Sequence, residues 1–147
     1  MRPTPEPMPM PDTAATILVV EDDAFTTALL RFLLERQGLQ VQTVADGPSA
    51  LARLAQGPVP DAVVLDLLLP QVSGLAVLAR LREQPAWAQT PVLVLSALDA
   101  GSDMAQAFAA GAHDYLSKPF NPEELLARLQ RLLPQAWPTH ARGTAQA

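Results

Sequence analysis

Four apolar runs in this chain each stop at a polar group, and that repetition constrains the fold more than any other feature. Thr16-Ile17-Leu18-Val19-Val20 stops at Glu21-Asp22-Asp23, and Ala62-Val63-Val64-Leu65 stops at Asp66. Val92-Leu93-Val94-Leu95 stops at Ser96, and the run through Tyr115-Leu116-Ser117 stops at Lys118-Pro119. Short runs of this kind suit strands buried on both faces of a parallel sheet. Their carboxyl ends then share one rim, where open α/β sheets bind ligands. That rim would gather acids, one hydroxyl and one ammonium.

The segments between the runs read as helices. Phe25, Ala28, Leu29, Phe32, Leu33 and Arg36 recur at three- and four-residue spacing, so the first helix is amphipathic and ends near Gly38, with Asp23 as its cap. Leu39 to Val44 alternates apolar and polar residues, the pattern of an edge strand. Pro48 opens a second helix that runs to about Gln56, and Leu75, Val77, Leu78 and Leu81 mark a third. Trp87 lies in a loop from Pro85 to Pro91 and is expected to pack inward. A fourth helix from about Ser102 to Ala110 is rich in alanine and should be the least firmly packed. His113 to Leu116 is the last strand. Asn121-Pro122-Glu123-Glu124 starts the fifth helix, with Glu124 placed for a capping box, and Leu125, Leu126, Leu129, Leu132 and Leu133 give its buried face. The alternation is β-α repeated five times, an α/β fold with helices on both faces of the sheet.

The 147 residues suit one domain, and 49% hydrophobic against 17% charged residues predicts that most of the chain folds. Alternating prolines from Pro3 to Pro11 assign residues 1–15 to a disordered or extended tail. Residues 134–147 lack periodicity and read as a second tail, which leaves 16–133 as the domain. No run reaches the eighteen or so apolar residues that span a bilayer, and no signal peptide is visible. The chain has no cysteine, which excludes disulfides and thiol chemistry and is compatible with a cytoplasmic location. A net charge of −5 without a Lys/Arg cluster argues against direct nucleic-acid binding.

Glu21, Asp22 and Asp66 at adjacent strand ends would repel one another by ~4 kcal/mol per pair at ~4 Å and an effective dielectric of ~20. Such a cluster needs a cation or raised pKa values. Oxygen ligands alone favour a hard ion, and few carboxylates favour hydrated Mg²⁺ over Ca²⁺. Taken alone, Glu21-Asp22-Asp23 also reads as a solvated turn and helix cap; Asp66 on the same rim weighs against that. Lys118 beside carboxylates suits an anion, most plausibly phosphate, although a surface lysine is the usual case. A cis bond before Pro119 would help aim it. Ser96 offers a hydroxyl to the same anion, and no histidine stands near it to form a hydrolase triad. Neither G-x-G-x-x-G nor a P-loop motif occurs, so a nucleotide cofactor is not expected. His113 reads as structural or superficial.

These residues, in this order, resemble the receiver domain of bacterial two-component response regulators. The matching pieces are Ile17 to Asp23, Asp66-Leu67-Leu68-Leu69-Pro70 with Gly74, Pro91 through Ser96-Ala97, Gly111 to Leu116, and Lys118-Pro119-Phe120. The resemblance implies a flavodoxin-like doubly wound parallel sheet with strand order 2-1-3-4-5. It implies that Asp66 accepts a phosphoryl group from a sensor histidine kinase or phosphotransfer protein. Asp22, Asp66 and the Leu68 backbone carbonyl would bind Mg²⁺, with Glu21 acting through water. Lys118 and Ser96 would contact the phosphoryl group, and Tyr115 would be the switch aromatic, turning inward as Ser96 moves. The output face would be helix 4, strand 5 and helix 5, meeting a downstream protein in a freestanding, non-enzymatic module. In the winged-helix branch of the family that face resembles three cross-subunit ion pairs. Here only Asp114 with Arg128 fits, leaving Glu124 uncompensated, so a monomer or weak dimer is expected. Side chains two positions after the acceptor and after the hydroxyl flank the path of a hydrolytic water in this family. Here they are Leu68 and Leu98, which predicts slow loss of phosphate.

Two other functions fit the α/β pattern. A Mg²⁺-dependent phosphohydrolase with an aspartyl nucleophile would want D-x-D at the first strand end, which Glu21-Asp22-Asp23 does not supply. A receiver-like binding module without phosphorylation would not need Asp66, Asp22, Ser96 and Lys118 together.

Overall fold

The computed structural model describes residues 14–97 and 100–138, with side chains at 100–102 left aside. Five strands, β1 (Thr16–Val20), β2 (Gln40–Val44), β3 (Ala62–Asp66), β4 (Val92–Ser96) and β5 (Asp114–Ser117), form one sheet in the order β2-β1-β3-β4-β5. Every pairing is parallel. Between them run α1 (Ala24–Glu35), α2 (Gly47–Leu54), α3 (Gly74–Glu83) and α4 (Ala100–Ala109), and α5 (Pro122–Leu132) follows β5. This is the flavodoxin-like arrangement that the family resemblance implied.

Side-chain alternation along the strands builds two cores. Ile17, Val19, Val64, Leu93 and Leu95 face α1 and α5, meeting Leu30, Leu34, Leu125 and Leu129. Leu18, Val20, Val63, Leu65, Val92 and Val94 face α2, α3 and α4, meeting Ala50, Val77, Leu78, Leu81 and Ala107. The central strands β3 and β4 are buried along their whole length, whereas β2 is half exposed as an edge strand should be. Trp87, in a 3₁₀ turn over Pro85–Trp87, is buried in the second core as expected.

Three expectations need correction. In α1 the buried residues are Leu30 and Leu34, while Phe25 and Phe32 are 75% and 57% exposed. The helix carries two apolar stripes at helical spacing, and periodicity alone cannot choose between them. The stripe that packs is the one whose Leu30 and Leu34 join the core of Ile17, Val19 and Leu125, and Arg31 beside it reaches the Val41 carbonyl on β2 and Glu35 one turn on. The second correction concerns the tails. Ala15 is buried, and its carbonyl accepts the Gln40 amide. Trp137 is 4% exposed and joins Ala15, Leu34, Leu39 and Leu133 beneath the sheet, so the folded part passes Leu133. A large ring after a helix end can fold back on a core without any periodic signal. The remaining tail residues, 1–13 and 139–147, lie outside the described residues. Third, the capping box of α5 is half formed. Asn121 accepts the amides of Glu123 and Glu124, but the Glu124 carboxylate turns to Arg128.

Candidate functional site

The ends of β1 and β3 deliver the acids. Register pairs Val20 with Leu65, so Glu21 and Asp66 follow at the same level of the sheet. Carboxylate oxygens of Glu21, Asp22 and Asp66 lie within 4.8 Å of one another, a group that could hold a metal ion. Glu21 and Asp66 are 3% and 4% exposed, whereas Asp22 is exposed. β5 brings the counter-charge: Lys118 Nζ donates to Glu21 Oε1 at 2.8 Å and to Asp66 Oδ2 at 3.2 Å. The Lys118–Pro119 peptide is cis.

These contacts set the local electrostatics. Burial pushes the Glu21 carboxyl above its ordinary range, against the Lys118 hydrogen bond that lowers it. Burial pulls the Lys118 ammonium down, but the hydrogen bond to Glu21 and the charge of Asp66 outweigh it, so the ammonium is raised and stays charged. Glu21 Oε2 also accepts the Asp23 amide. Lys118 engages Glu21 directly, a bond between residues 97 positions apart that no local pattern reveals.

Backbone geometry around Asp66 is equally constrained. Its Oδ1 accepts the Leu68 amide at 3.0 Å, which orients the carboxylate. Leu68 points its side chain outward, 51% exposed. At Gly74 a Cβ would collide with the Asp66 carbonyl and with Leu67, and the Gly74 amide donates to the Leu67 carbonyl at 2.9 Å. The glycine therefore allows α3 to start against the strand that carries Asp66, with Ser73 as its cap. In the sequence Gly74 stands only as one piece of the family resemblance, and this close approach is not visible there.

Ser96 is fully buried at the end of β4, one residue beyond Leu95, the partner of Asp66 in the ladder. Its carbonyl accepts the Lys118 amide at 2.9 Å, tying the serine and the lysine through the backbone. Tyr115 lies inward, 4% exposed, in the core shared with α3 and α4. Leu98 lies outside the described residues. The structure therefore brings Glu21, Asp22, Asp66 and Lys118 into one cluster and sets Ser96 beside it.

A buried carboxylate beside two further acids and a lysine, at the rim of a 2-1-3-4-5 sheet, can present a nucleophilic oxygen to an electrophile whose charge a cation neutralises. Residues 17–130 match the family model of the response regulator receiver domain. This chain belongs to that family. TcrA, a transcriptional regulatory protein of Mycobacterium tuberculosis, is 52% identical over 116 residues, covering 79% of this chain and 45% of TcrA. PhoB of Rhizobium meliloti, a phosphate regulon transcriptional regulatory protein, is 41% identical over 122 residues, covering 83% and 53%. The chain spans about half the length of these curated relatives. Among solved structures, the receiver domain of the sensor histidine kinase PA1611 from Pseudomonas aeruginosa holds a magnesium ion in its active site cleft. It superposes with a TM-score of 0.76 at 31% identity, covering 83% of this chain and 99% of that one. The chemotaxis response regulator CheY4 of Vibrio cholerae gives 0.76 at 35% identity, covering 82% and 99%. Receiver domains are the phosphoacceptor modules of two-component signalling. Among the described residues of this one, no helix is long and apolar enough to cross a membrane.

Proposed function

We propose that Asp66 is the phosphoryl acceptor of this receiver domain. The observation that carries the reading is the Asp66 carboxylate, buried, oriented by the Leu68 amide and paired with Lys118. One carboxylate oxygen of Asp66 attacks the phosphorus of a phosphohistidine on a kinase or phosphotransfer protein. The P–N bond breaks, and the electron pair leaves with the imidazole. Lys118 is positioned to exchange a carboxylate oxygen for a phosphoryl oxygen as charge develops there. Ser96 donates its hydroxyl to the attached phosphate, and Tyr115 responds as the switch aromatic.

Asp22, Asp66 and the Leu68 carbonyl would hold Mg²⁺, with Glu21 near it, and the cluster of three acids fits a small hard cation. Bound there, Mg²⁺ would neutralise phosphoryl oxygens. The module acts in the cytoplasm as an acceptor rather than a turnover enzyme. It signals to a downstream protein through α4, β5 and α5, where Met104 and Phe108 are 36% and 42% exposed. Arg128 pairs with both Asp114 and Glu124 inside the same chain, which leaves less for a partner copy and supports a monomer or weak dimer.

The test is intact mass after acetyl phosphate with Mg²⁺. One phosphate should add to the wild type and none to Asp66→Asn; full labelling of the variant sinks the assignment. The apolar flank at Leu68 further predicts slow decay of that phosphate. Leu68→Asn should speed decay by up to ~10²-fold by orienting a water, and unchanged decay in a folded variant refutes this.

A further inference from the structure

Asp66 is oriented by the Leu68 amide, yet nothing that Leu68 itself buries holds that peptide in place. The Leu68 side chain is exposed, and so are Pro70 and Gln71. The chain from Leu68 to Ser73 forms a closed loop, because the Gly74 amide returns to the Leu67 carbonyl at 2.9 Å. Within it the Val72 amide donates to the Pro70 carbonyl at 2.7 Å, across Gln71, whose φ is +70°. A three-residue turn with its middle residue at positive φ is the rare and strained form. Among the described residues Gln71 is the only one other than glycine with a positive φ. Such a conformation persists only where its surroundings over-determine it, and strain of this kind collects at functional sites.

The restraint comes from a neighbouring helix. Leu69 and Val72 turn inward and pack against the second core. Val72 rests on Gly47, the first residue of α2: a Cβ on Gly47 would collide with both the Val72 Cβ and the Val72 carbonyl. Gly47 has no positive φ, so what rules out a side chain there is space alone. The seat itself is rigid. Asp46 caps α2 by accepting the Ser49 amide, Pro48 fixes the backbone beside the glycine, and Gly47 is buried. The loop is thus pinned at two places where no side chain fits, at Gly74 against the Asp66 carbonyl and at Gly47 against Val72. The turn at Gln71 carries the second restraint back towards Leu68.

We propose that Gly47 is a positioning residue for the Mg²⁺ site: by seating Val72 against the start of α2 it holds the turn at Gln71, and through that turn the Leu68 peptide beside Asp66. The part that concerns Mg²⁺ rests on the ligand set proposed above; the hold on the Leu68 peptide does not. Gly47 is not among those ligands. It acts as outer-shell contacts do, by fixing the direction in which the Leu68 carbonyl and the Asp66 carboxylate are presented. Losing such a contact typically costs about 10–100-fold in metal affinity.

Two variants attack the seat from opposite sides. Gly47→Ala overfills it, and Val72→Gly empties it at a residue that is only half-buried. Gly111→Ala is the control: it strains a φ of +113° at the far end of the sheet, against Arg82, and lowers stability without touching the loop. In the metal-free chain, hydrogen exchange of the Leu68 amide should be about tenfold faster in both loop variants and unchanged in the control. Calorimetric titration with Mg²⁺ should give a Kd raised about 10–100-fold in both loop variants and unchanged in the control. If Gly47→Ala does not fold, Val72→Gly carries both measurements. A folded loop variant in which either quantity keeps its wild-type value overturns the proposal. Equal losses in Gly111→Ala also overturn it, because the effect would then belong to overall stability. If the wild type itself binds no Mg²⁺, the ligand set proposed above is wrong, and exchange at Leu68 still decides whether Gly47 holds that peptide.

Discussion

Lys118 and Arg82 close opposite ends of the same sheet, and they do it with different partners. Lys118 holds two carboxylates at the carboxyl rim, Glu21 and Asp66. Arg82 holds backbone carbonyls at the other end, donating from Nη2 to Gly111 at 2.8 Å and from Nη1 to Trp87 at 3.1 Å. It also meets His113 Nδ1 at 3.1 Å. A carboxylate can hand its cation to an arriving anion, because both carry charge. A carbonyl in a turn has nothing to trade. The choice of cation follows: a flexible ammonium where contacts are to be exchanged, a planar fork where several fixed acceptors are to be joined. Both residues are half-buried, and a surface scan would treat them alike. Their partners separate an exchangeable clamp from a permanent one.

The largest expected effect breaks the exchangeable clamp. Lys118→Met should slow phosphate uptake from acetyl phosphate by ~10²-fold, the usual loss when one preorganised donor to developing charge is removed. Initial rates in a folded variant check it, and an undiminished rate would make Lys118 an ion-pair partner only. Arg82→Met should act on stability instead. It removes both Arg82 donors from the Gly111 carbonyl and leaves the Trp87 carbonyl with the Thr90 amide alone, and should cost ~1–3 kcal/mol in denaturant unfolding. Uptake by the folded fraction should be unchanged; a matching fall in uptake would erase the distinction between the two ends.

Gly111 sharpens the same contrast. Its φ of +113° is one that side chains rarely adopt, and a Cβ there would meet the Arg82 side chain. Gly111→Ala should therefore lower stability through backbone strain and a displaced Arg82, by ~1–3 kcal/mol. Thermal unfolding beside Arg82→Met checks this, and the double variant should lose less than the sum, since both changes break one contact.

The smallest effect is one of pH. His113 is held below its ordinary 6.5 first by burial and then by the Arg82 charge, and its Nδ1 faces both Arg82 and the Val92 amide. Well above 6.5 the ring is neutral folded or unfolded and contributes nothing to pH dependence. As pH falls below that value the unfolded chain takes up the proton first, so stability drops until the folded-state value is passed. His113→Asn keeps an acceptor and should flatten this part of the stability profile. An unchanged slope would show that the ring does not titrate with unfolding.

Much of this is legible in the sequence. The strand-end acids, Ser96 and Lys118 stand in plain sequence because buried strands are continuous and apolar, so that the polar residue ending each is conspicuous. Strand order followed from the family resemblance, not from periodicity. What stayed hidden were contacts between distant positions. Arg82 looks like one more polar residue on α3, yet it reaches Gly111 across 29 positions. The outward turn of Phe25 and Phe32 was hidden for another reason. Two apolar stripes compete in α1, and the choice lies in tertiary packing, where Leu30 and Leu34 meet the sheet and α5. Trp137 lay beyond the last periodic residue, where a sequence reading has no pattern to follow.

The two tryptophans of the chain are buried on opposite faces of the sheet, Trp87 with α3 and Trp137 with α1 and α5. Each ring is therefore a native optical reporter for one layer. Trp137→Phe would leave emission from the layer behind Asp66's loop, and Trp87→Phe would leave emission from the layer bearing the aromatic stripe. Denaturant curves from the two single-tryptophan chains either coincide, marking one cooperative unit, or separate and rank the layers by the order in which they come apart.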